Sequence, residues 1–511
     1  MMQFMKLLWC ACVTCFLFGE KTHDYIFYSI NPKSCLKLLT YSQLFPDDPC
    51  APLAMQKALE LINLHRDTPI TLKEFRSIPY IDLFNIVSLF AKQPYLPFQP
   101  LEESEIAFIE KLCNGFENRR LKGHYVWTEN DLVSLDTTEI DLSRALFIYE
   151  FRGDQRKIRS YEAMLDIMAL EILGKVDKNA TQIEKIDAIN RFIFYDMRFR
   201  FPPRSMWTFD DSAFTFLPSV MDSRHGVCLG VSILYLTLAQ RLSIPLSIIT
   251  PPGHIFVAYR ENGLVRNIET TARGIHLPDS RYESITTAKI PERTIKQVIG
   301  ANFYNAAGSH WKEARFDKAL EYYTLAEKYF GPHDPALTKV KAYVLIALNK
   351  RGEALEEIEH YMQSGGFDTH PDLFLTEYKE GRLSSESLRL MIQDEFETLA
   401  LREEFEKKLI AQTEVDSRSA SLWFNIALCR HGLGKKKQAL EALYLAEKID
   451  AKNPILEYYL AMLNFDLHHP EKALAHLQKS LSLLQKGSIP EKIVLKTAKS
   501  YRAIFPFLSV N

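Results

Sequence analysis

The stretch RHGVCLGVSILYLTLAQRLSIPL, residues 224–246, decides how this 511-residue sequence is interpreted. Its apolar run predicts a buried helix from Cys228 to Leu242 that stops before Pro245, and Gly226 predicts a turn ahead of that helix. Cys228 is therefore expected at a helix N-terminus. The free backbone N–H groups and partial positive charge there favour a thiolate and can stabilise an oxyanion. The alternative is that the cysteine is a small buried hydrophobe.

Two more side chains stand where such a nucleophile would need them. In PPGHIFVAY, His254 follows a Pro-Pro-Gly turn and opens a predicted strand, 255–259. A second strand, 264–268, follows the turn residues 261–263, and Glu269 ends it. The hairpin would bring His254 and Glu269 opposite each other or within about two residues of register. An imidazole could then take the thiol proton while a carboxylate orients it, or the two could be a turn histidine and a solvated strand end.

Neighbouring residues could support this group. Arg224 and His225 precede the cysteine, where they could polarise a carbonyl and favour the thiolate, or could cap the turn. Asn267 could support the group or the hairpin. The loop Arg198–Phe209 mixes arginines with aromatic residues, and we expect it to wrap the core or form a cleft wall rather than to bind nucleic acid.

A helix-start cysteine, a strand histidine and an acid on the next strand come in an order that resembles the transglutaminase-like superfamily, a branch of papain-type cysteine folds. The phrases FLPSVMDSRHGVCLGVSILYLTLAQRLSIPL, PPGHIFVAY and NIETTARG resemble its SirB1-type branch, which is often fused to tetratricopeptide repeats. The resemblance implies an α+β core with a helix on a small antiparallel sheet. It implies Cys228 as nucleophile, His254 as general base and Glu269 as third member, where the family more often has Asp.

A repeat with a period near 34 residues occupies residues 300–368 and 418–486. Small residues recur in phase, as expected where the two helices of a hairpin cross closely. They include Ala427, Ala439, Ala461 and Ala473 in the later copies and Ala307, Ala319, Ala342 and Ala354 in the earlier ones. The pattern resembles the tetratricopeptide repeat and predicts copies near 300–333, 334–368, 419–452 and 453–486. Residues 369–417 are either a degenerate repeat or a helical spacer.

The predicted fold class is therefore α+β, in four segments. They are residues 1–23, a signal peptide or membrane tether; 24–157, a mostly helical region; 158–298, the thiol domain with a small antiparallel sheet; and 299–511, an all-α repeat solenoid. The leader MMQFMKLLWCACVTCFLFG has one positive charge and then an apolar run. It favours export to the periplasm or cell envelope, with tethering as a variant, and a buried element of a cytoplasmic protein is the alternative.

Composition excludes several classes of protein. Lys and Arg number 62 against 64 Asp and Glu, a net charge of −2, so no nucleic-acid partner is expected. The eight cysteines form no CxxC pair and no Cys/His zinc spacing, and no metal or organic cofactor is expected. In an oxidising compartment, Cys35 and Cys50 are spaced to bridge a short loop.

The sequence thus predicts a cysteine enzyme acting on amide bonds through an acyl-enzyme, with repeats that bind a protein or peptide. Water as the acceptor gives a peptidase or amidase, and an amine gives an acyltransferase of the transglutaminase type. Hydrolysis is preferred because nothing in the sequence suggests a dedicated amine site. The alternative is a non-catalytic repeat scaffold or adaptor with an idle transglutaminase-like domain.

Overall fold

The computed structural model describes residues 21–76, 101–203, 214–287, 289–365, 372–392 and 398–506. Their contacts divide into two compact units. The first unit holds the described residues up to Ile248, together with Phe256–His276 and Thr294–Lys296. The second holds Ile249–Ile255, Leu277–Arg293 and the chain from Gln297 onward. The segment boundaries drawn from the sequence stay predictions, because the chain enters the second unit more than once.

Helices dominate the described residues before position 155, as predicted. They are α1 (Lys21–Ser29), α2 (Cys35–Leu44), α3 (Ala51–Asn63), α4 (Leu72–Arg76), α5 (Glu103–Leu112), α6 (Glu129–Ser134) and α7 (Leu142–Glu150). Their starts follow local signals: Pro52 lies in the first turn of α3, and the Asp141 side chain accepts a hydrogen bond from the backbone N–H of Arg144 at the start of α7.

In the described residues from 155 to 293, four more helices and four strands follow. They are α8 (Gln155–Leu173), α9 (Gln182–Arg191), α10 (Leu217–Ser223) and α11 (Cys228–Arg241), then β1 (Leu246–Ile249), β2 (Phe256–Glu261), β3 (Leu264–Ile268) and β4 (Glu292–Arg293). Gly174 caps α8. Thr181 followed by Glu184 three residues later predicts a capping box at the start of α9. It is present: the Thr181 hydroxyl accepts from the Glu184 N–H at 3.3 Å, and the Glu184 carboxylate accepts from the Thr181 N–H at 2.7 Å.

The strands form one small sheet in the order β3-β2-β1-β4. β2 and β3 are antiparallel, with Val257 opposite Ile268. Asn262 and Gly263 both have left-handed backbone angles, φ 52° and 77°, as an Asn-Gly hairpin turn requires. The predicted α+β class with a small antiparallel sheet is confirmed.

A buried ionic network joins α8 and α11 to the preceding helical region. Asp166 of α8 accepts from Arg241 Nε at 2.7 Å and forms a second ion pair with Arg119. Neither Asp166 nor the Arg241 side chain is exposed. Beside this network, burial disfavours the charged form of Asp141, yet the hydrogen bond from His124 and the charge of Arg241 outweigh it and hold the pKa of Asp141 well below its usual range. Charges of both signs are thus matched inside the first unit.

Glu150, at the end of α7, gives a prediction about pH. Burial alone raises the pKa of Glu150 to about 7, and the carboxyl has no ion pair or hydrogen bond with any described residue. Since the folded state holds this proton more tightly than the unfolded state, ionisation destabilises the fold as pH rises toward 7. We expect Glu150→Gln to leave stability unchanged near pH 4 and to raise it by about 3 kcal/mol near pH 8. Urea unfolding at both pH values measures this.

Exposed Glu414 supplies the matched control for that prediction. Glu414→Gln should change stability by less than about 0.5 kcal/mol at either pH. A Glu150→Gln effect of the same size at pH 4 and pH 8 would show that the carboxyl ionises freely in the fold.

The second unit consists mainly of paired antiparallel helices. They are α12 (Ile295–Lys312), α13 (Phe316–Phe330), α14 (Pro335–Ala347), α15 (Arg351–Gln363), α16 (Leu373–Lys379), α17 (Ser385–Met391), α18 (Leu399–Gln412), α19 (Ala420–Gly432), α20 (Lys436–Ile449), α21 (Pro454–Asp466), α22 (Pro470–Leu483) and α23 (Ile489–Ile504). The pair that begins at Ala420 and Lys436 recurs at Pro454 and Pro470, 34 residues on in both cases. The predicted solenoid of helix pairs is confirmed.

Small residues form the predicted helix crossings. Ala439 and Ala473 are fully buried, and so are Ala319 and Ala354 in the earlier copies. Their lack of a side chain beyond Cβ lets the paired helices approach closely. Residues 372–392 and 398–412 form the three helices α16–α18, so the described part of this segment is helical, and the choice between a degenerate repeat and a helical spacer stays open.

The predicted leader, Met1–Gly19, lies outside the residues that the structure describes. Within the ranges that are described, no helix is long and apolar enough to cross a membrane. Cys35 and Cys50 are both free thiols, so the predicted disulfide between them is wrong. The buried Cys35 thiol points to the Ala58 carbonyl instead, at 3.9 Å.

Candidate active site

The turn ahead of α11 is fixed by close packing. Arg224 ends α10 with a left-handed backbone, φ 56°, and Val227 is extended before α11 begins at Cys228. A Cβ added to Gly226 would lie 2.8 Å from Val231 Cγ2, and one added to Gly230 would lie 2.4 Å from the Phe214 carbonyl oxygen. Only glycine fits at either position, which explains why the sequence RHGVCLG turns and enters a helix at this point.

Cys228 is the first residue of α11, as predicted. Its thiol is free and half-buried, and Val227 supplies no side-chain cap to the helix. Thr270 Oγ1 lies 3.4 Å from the Cys228 carbonyl oxygen and 3.1 Å from Ser232 Oγ. These contacts hold the segment after β3 against the first turn of α11.

Glu269 lies in that same segment. It is 3% exposed, and its Oε1 accepts from the Thr271 N–H at 3.1 Å and from the Thr271 hydroxyl at 2.5 Å. Its backbone N–H donates to the Ile275 carbonyl at 2.9 Å. The first unit therefore brings the Glu269 segment to Cys228, and the carboxylate is buried and hydrogen-bonded rather than at a solvated strand end.

His254 precedes β2 rather than opening it, because β2 begins at Phe256. Its N–H donates to the Pro251 carbonyl at 3.1 Å, and its ring stacks on Tyr282 with centroids 5.5 Å apart and planes 13° apart. Both residues belong to the second unit. The pairing of His254 with Cys228 and with Glu269 stays a prediction.

The three supporting candidates have identified contacts. Arg224 is buried and its guanidinium Nη1 lies 3.4 Å from the Met197 carbonyl. His225 Nδ1 lies 2.9 Å from the Ser223 carbonyl, which can only accept, so Nδ1 carries the proton. Asn267 is buried in the β2–β3 ladder opposite Ala258. Arg224 and His225 therefore contact backbone carbonyls, and the predicted roles of all three residues in catalysis stay predictions.

Sequence reasoning missed the residues that other segments bring to the cysteine turn. The backbone N–H of Arg200 donates to the Arg224 carbonyl at 2.9 Å, and the Gly226 N–H donates to the Arg200 carbonyl at 3.1 Å. Arg273 follows Thr270 at the tip of a tight turn, φ 60°. The sequence shows arginines in the loop after residue 197, but nothing local in it reveals which of them is hydrogen-bonded to the turn before Cys228.

Among the described residues, two groups of side chains have the ligand types that metals prefer. His124, Asp141 and Glu162 have ligand atoms within 4.8 Å of one another, and so do Glu447, Glu457 and His476. Arg144 binds both oxygens of Glu162, at 2.6 and 2.7 Å. Lys479 reaches Glu447 and Glu457 at 2.6 and 2.5 Å. A cationic side chain already occupies each group, so both are structural ion-pair networks.

The middle of the chain matches a known protein family. Residues 159–299 match the model of the transglutaminase-like superfamily, which confirms the predicted resemblance over that segment. A UPF0162 protein of Xylella fastidiosa strain Temecula1 is 22% identical over 258 residues, covering 46% of this chain and 87% of the relative. Its counterpart from a second strain of that species is 21% identical over the same length. The finer SirB1-type assignment stays a prediction.

Solved structures, two of them described as TPR proteins, are also similar. A thermophilic TPR protein from Thermus thermophilus is 19% identical, covering 40% of this chain and 99% of its own, at a TM-score of 0.23. YrrB, a TPR protein with an unusual peptide-binding site, is 15% identical, covering 39% and 92%, at a TM-score of 0.21. Yeast Tom70 is 10% identical, covering 95% and 92%, at a TM-score of 0.24.

Proposed function

We propose that this protein is a cysteine enzyme that cleaves amide bonds, with Cys228 as nucleophile, His254 as general base and Glu269 as the residue that orients it. The observation that supports this most is the position of Cys228, a free and half-buried thiol on the first residue of α11. Such a position supplies N–H donors and a partial positive charge to a thiolate and to the oxyanion that forms beside it.

The chemistry has two half-reactions. The Cys228 thiolate attacks the amide carbonyl, a C–S bond forms, and the protonated His254 gives its proton to the departing amine as the C–N bond breaks. Water then attacks the thioester, His254 takes its proton, and the carboxylic acid leaves as the thiol is restored. An amine in place of water would make the same site an acyltransferase. We favour hydrolysis, because no described side chain suggests an amine-binding site.

We further propose that the repeats bind a protein or peptide. In the second unit, helices α14, α16, α19 and α21 line a cavity of about 320 Å³. Its walls include Phe374, Phe424 and Tyr459, and Phe424 meets Tyr459 edge to face at 5.1 Å. Pro252, two residues before His254, lines the same cavity. Aromatic walls of this kind suit a peptide side chain, which supports delivery of a substrate toward the histidine turn.

Alkylation of Cys228 tests the enzyme. We expect iodoacetamide to modify Cys228 faster than free cysteine at about pH 6, where an ordinary thiol is protonated. His254→Ala should slow this reaction by about tenfold, because the imidazole no longer takes the proton. Mass spectrometry of the modified peptide gives the rate, with Cys228→Ala as the blank. A thiol that reacts only after denaturation would contradict the enzyme and leave the repeats as the functional part.

A further inference from the structure

Four arginines lie on the segments that meet at the start of α11. We call them the arginine rim: Arg198, Arg200, Arg224 and Arg273. Arg200 is hydrogen-bonded through its backbone to the turn that leads into Cys228. Arg273 lies three residues after Thr270, whose hydroxyl contacts the Cys228 carbonyl. All four belong to the first unit.

The charges of the rim act on one another. Burial, and after it the charges of Arg273 and Arg198, lower the pKa of Arg200. Burial and the charge of Arg198 lower the pKa of Arg224. The phenol of Tyr195 also acts on Arg200 and favours its cation. Guanidinium groups held close together repel one another and destabilise the fold, unless an anion binds between them.

No described carboxylate neutralises the two outer members of the rim. Arg198 and Arg273 are exposed and make no ion pair or hydrogen bond with any described residue. The acids on flanking segments contact other groups. Asp196 pairs with Lys175, Asp222 accepts from Tyr161, and Glu269 accepts from Thr271. The outer arginines therefore have free donors facing solvent.

Three members of the rim have a backbone conformation that residues with side chains rarely adopt. Arg198, Arg224 and Arg273 all have left-handed angles, φ 59°, 56° and 60°. A residue with a Cβ is disfavoured in that region, where glycine would fit easily. A cluster of like charges around one turn, with no described carboxylate partner for its outer members, favours the binding of an anion.

We propose that the arginine rim selects acyl substrates with a carboxylate close to the amide that Cys228 attacks. The guanidinium fork binds a carboxylate through two parallel hydrogen bonds, which suits an acidic side chain or a chain terminus beside the scissile bond. This inference rests on the proposed function of Cys228. It specifies that the substrate of the enzyme carries a negative charge near the amide.

Two alkylating agents that differ in charge test the rim without a substrate. Iodoacetate is an anion and iodoacetamide is neutral, and both transfer a two-carbon group to a thiolate with loss of iodide. We expect the ratio of their rates at Cys228 to favour iodoacetate about fivefold over the ratio measured with the denatured full-length chain. The preference should shrink as salt is added, because salt screens an exposed charge cluster.

Variants then assign the preference to the rim. Arg198→Gln and Arg273→Gln break no described contact, and together they should return the ratio to that of the denatured chain. Arg152→Gln is the matched control, since Arg152 is an exposed arginine of the first unit that also has a left-handed angle, φ 50°. It should leave the ratio unchanged.

The outcomes separate this inference from the proposed function. If native Cys228 reacts with iodoacetamide but shows no preference for iodoacetate, the role of the rim is contradicted and the proposed enzyme is not. The same holds if the preference for iodoacetate persists in the variant with both rim substitutions. A Cys228 that reacts with neither agent contradicts the enzyme and the rim together. A preference that disappears in the rim variants and persists in Arg152→Gln supports the inference.

Discussion

Asp166→Asn is expected to destabilise the first unit by about 4 kcal/mol, because it leaves two buried guanidinium groups with one neutral amide between them. Asp166 accepts from Arg241 Nε at 2.7 Å and pairs with Arg119 on its other oxygen. The Arg241 side chain is fully buried, and its Nη2 already lacks a hydrogen-bond acceptor among the described residues. The amide keeps one acceptor and turns an N–H group toward the other arginine.

Hydrogen exchange of the α11 amides in urea measures this effect, since Arg241 is the last residue of the helix that Cys228 begins. The matched control is Asp67→Asn. Asp67 is 91% exposed and pairs with Arg120 at 3.3 Å, so its loss should cost less than about 0.5 kcal/mol. An Asp166→Asn protein as stable as the control would mean that water or another group already screens the two arginines.

Gly230→Ala is expected to destabilise the first unit by about 3 kcal/mol and to lower the reactivity of Cys228 with it. The new Cβ would lie 2.4 Å from the Phe214 carbonyl oxygen and 2.8 Å from Val220 Cγ2. Backbone cannot yield as a flexible side chain can, so either α11 or the segment before α10 must move. Movement of α11 displaces its first turn, where Cys228 lies two residues earlier.

The same substitution in an open helix gives the control. Gly308 lies inside α12, and a Cβ added there would have no described atom within 4 Å outside its own helix turn, so Gly308→Ala should stabilise its helix by about 0.5–1 kcal/mol. Urea unfolding and iodoacetamide rates for both variants measure the two effects. Equal stability of the two variants would show that α11 and residues 214–220 can separate enough to accommodate the added Cβ at little cost in free energy.

Local signals in the sequence predicted much of the fold. The capping pair Thr181 and Glu184, the turn at Asn262-Gly263 and the apolar run from Cys228 each specify a start, a turn or a helix within a few residues, and each is present. The 34-residue spacing of small residues likewise predicted the helix pairs, because each pair must be narrow at the same place.

The surroundings of the cysteine depend on distant residues and could not be predicted in this way. Arg200 lies 28 residues before Cys228 and contacts the turn through backbone hydrogen bonds. Thr270 lies 42 residues after Cys228 and contacts its carbonyl through a hydroxyl. Neither contact has a signature in the local sequence. Glu269 was predicted to end β3, and its burial against Thr271 depends on the turn that follows. The grouping of 249–255 with the repeats has no local signal at all.

The interleaving of the two units along the chain has a consequence for how the protein is made. Arg293 pairs with Asp334, and both side chains are more than nine-tenths buried. Asp334 also starts α14, where it accepts from the N–H groups of Ala336 and Leu337. During synthesis, residues 277–293 leave the ribosome before the repeat helices against which they pack. Residues 277–293 therefore stay without their packing partners until the repeat helices have been synthesised. In a fragment that ends at residue 298, the surface of residues 277–293 that packs against those helices would stay exposed.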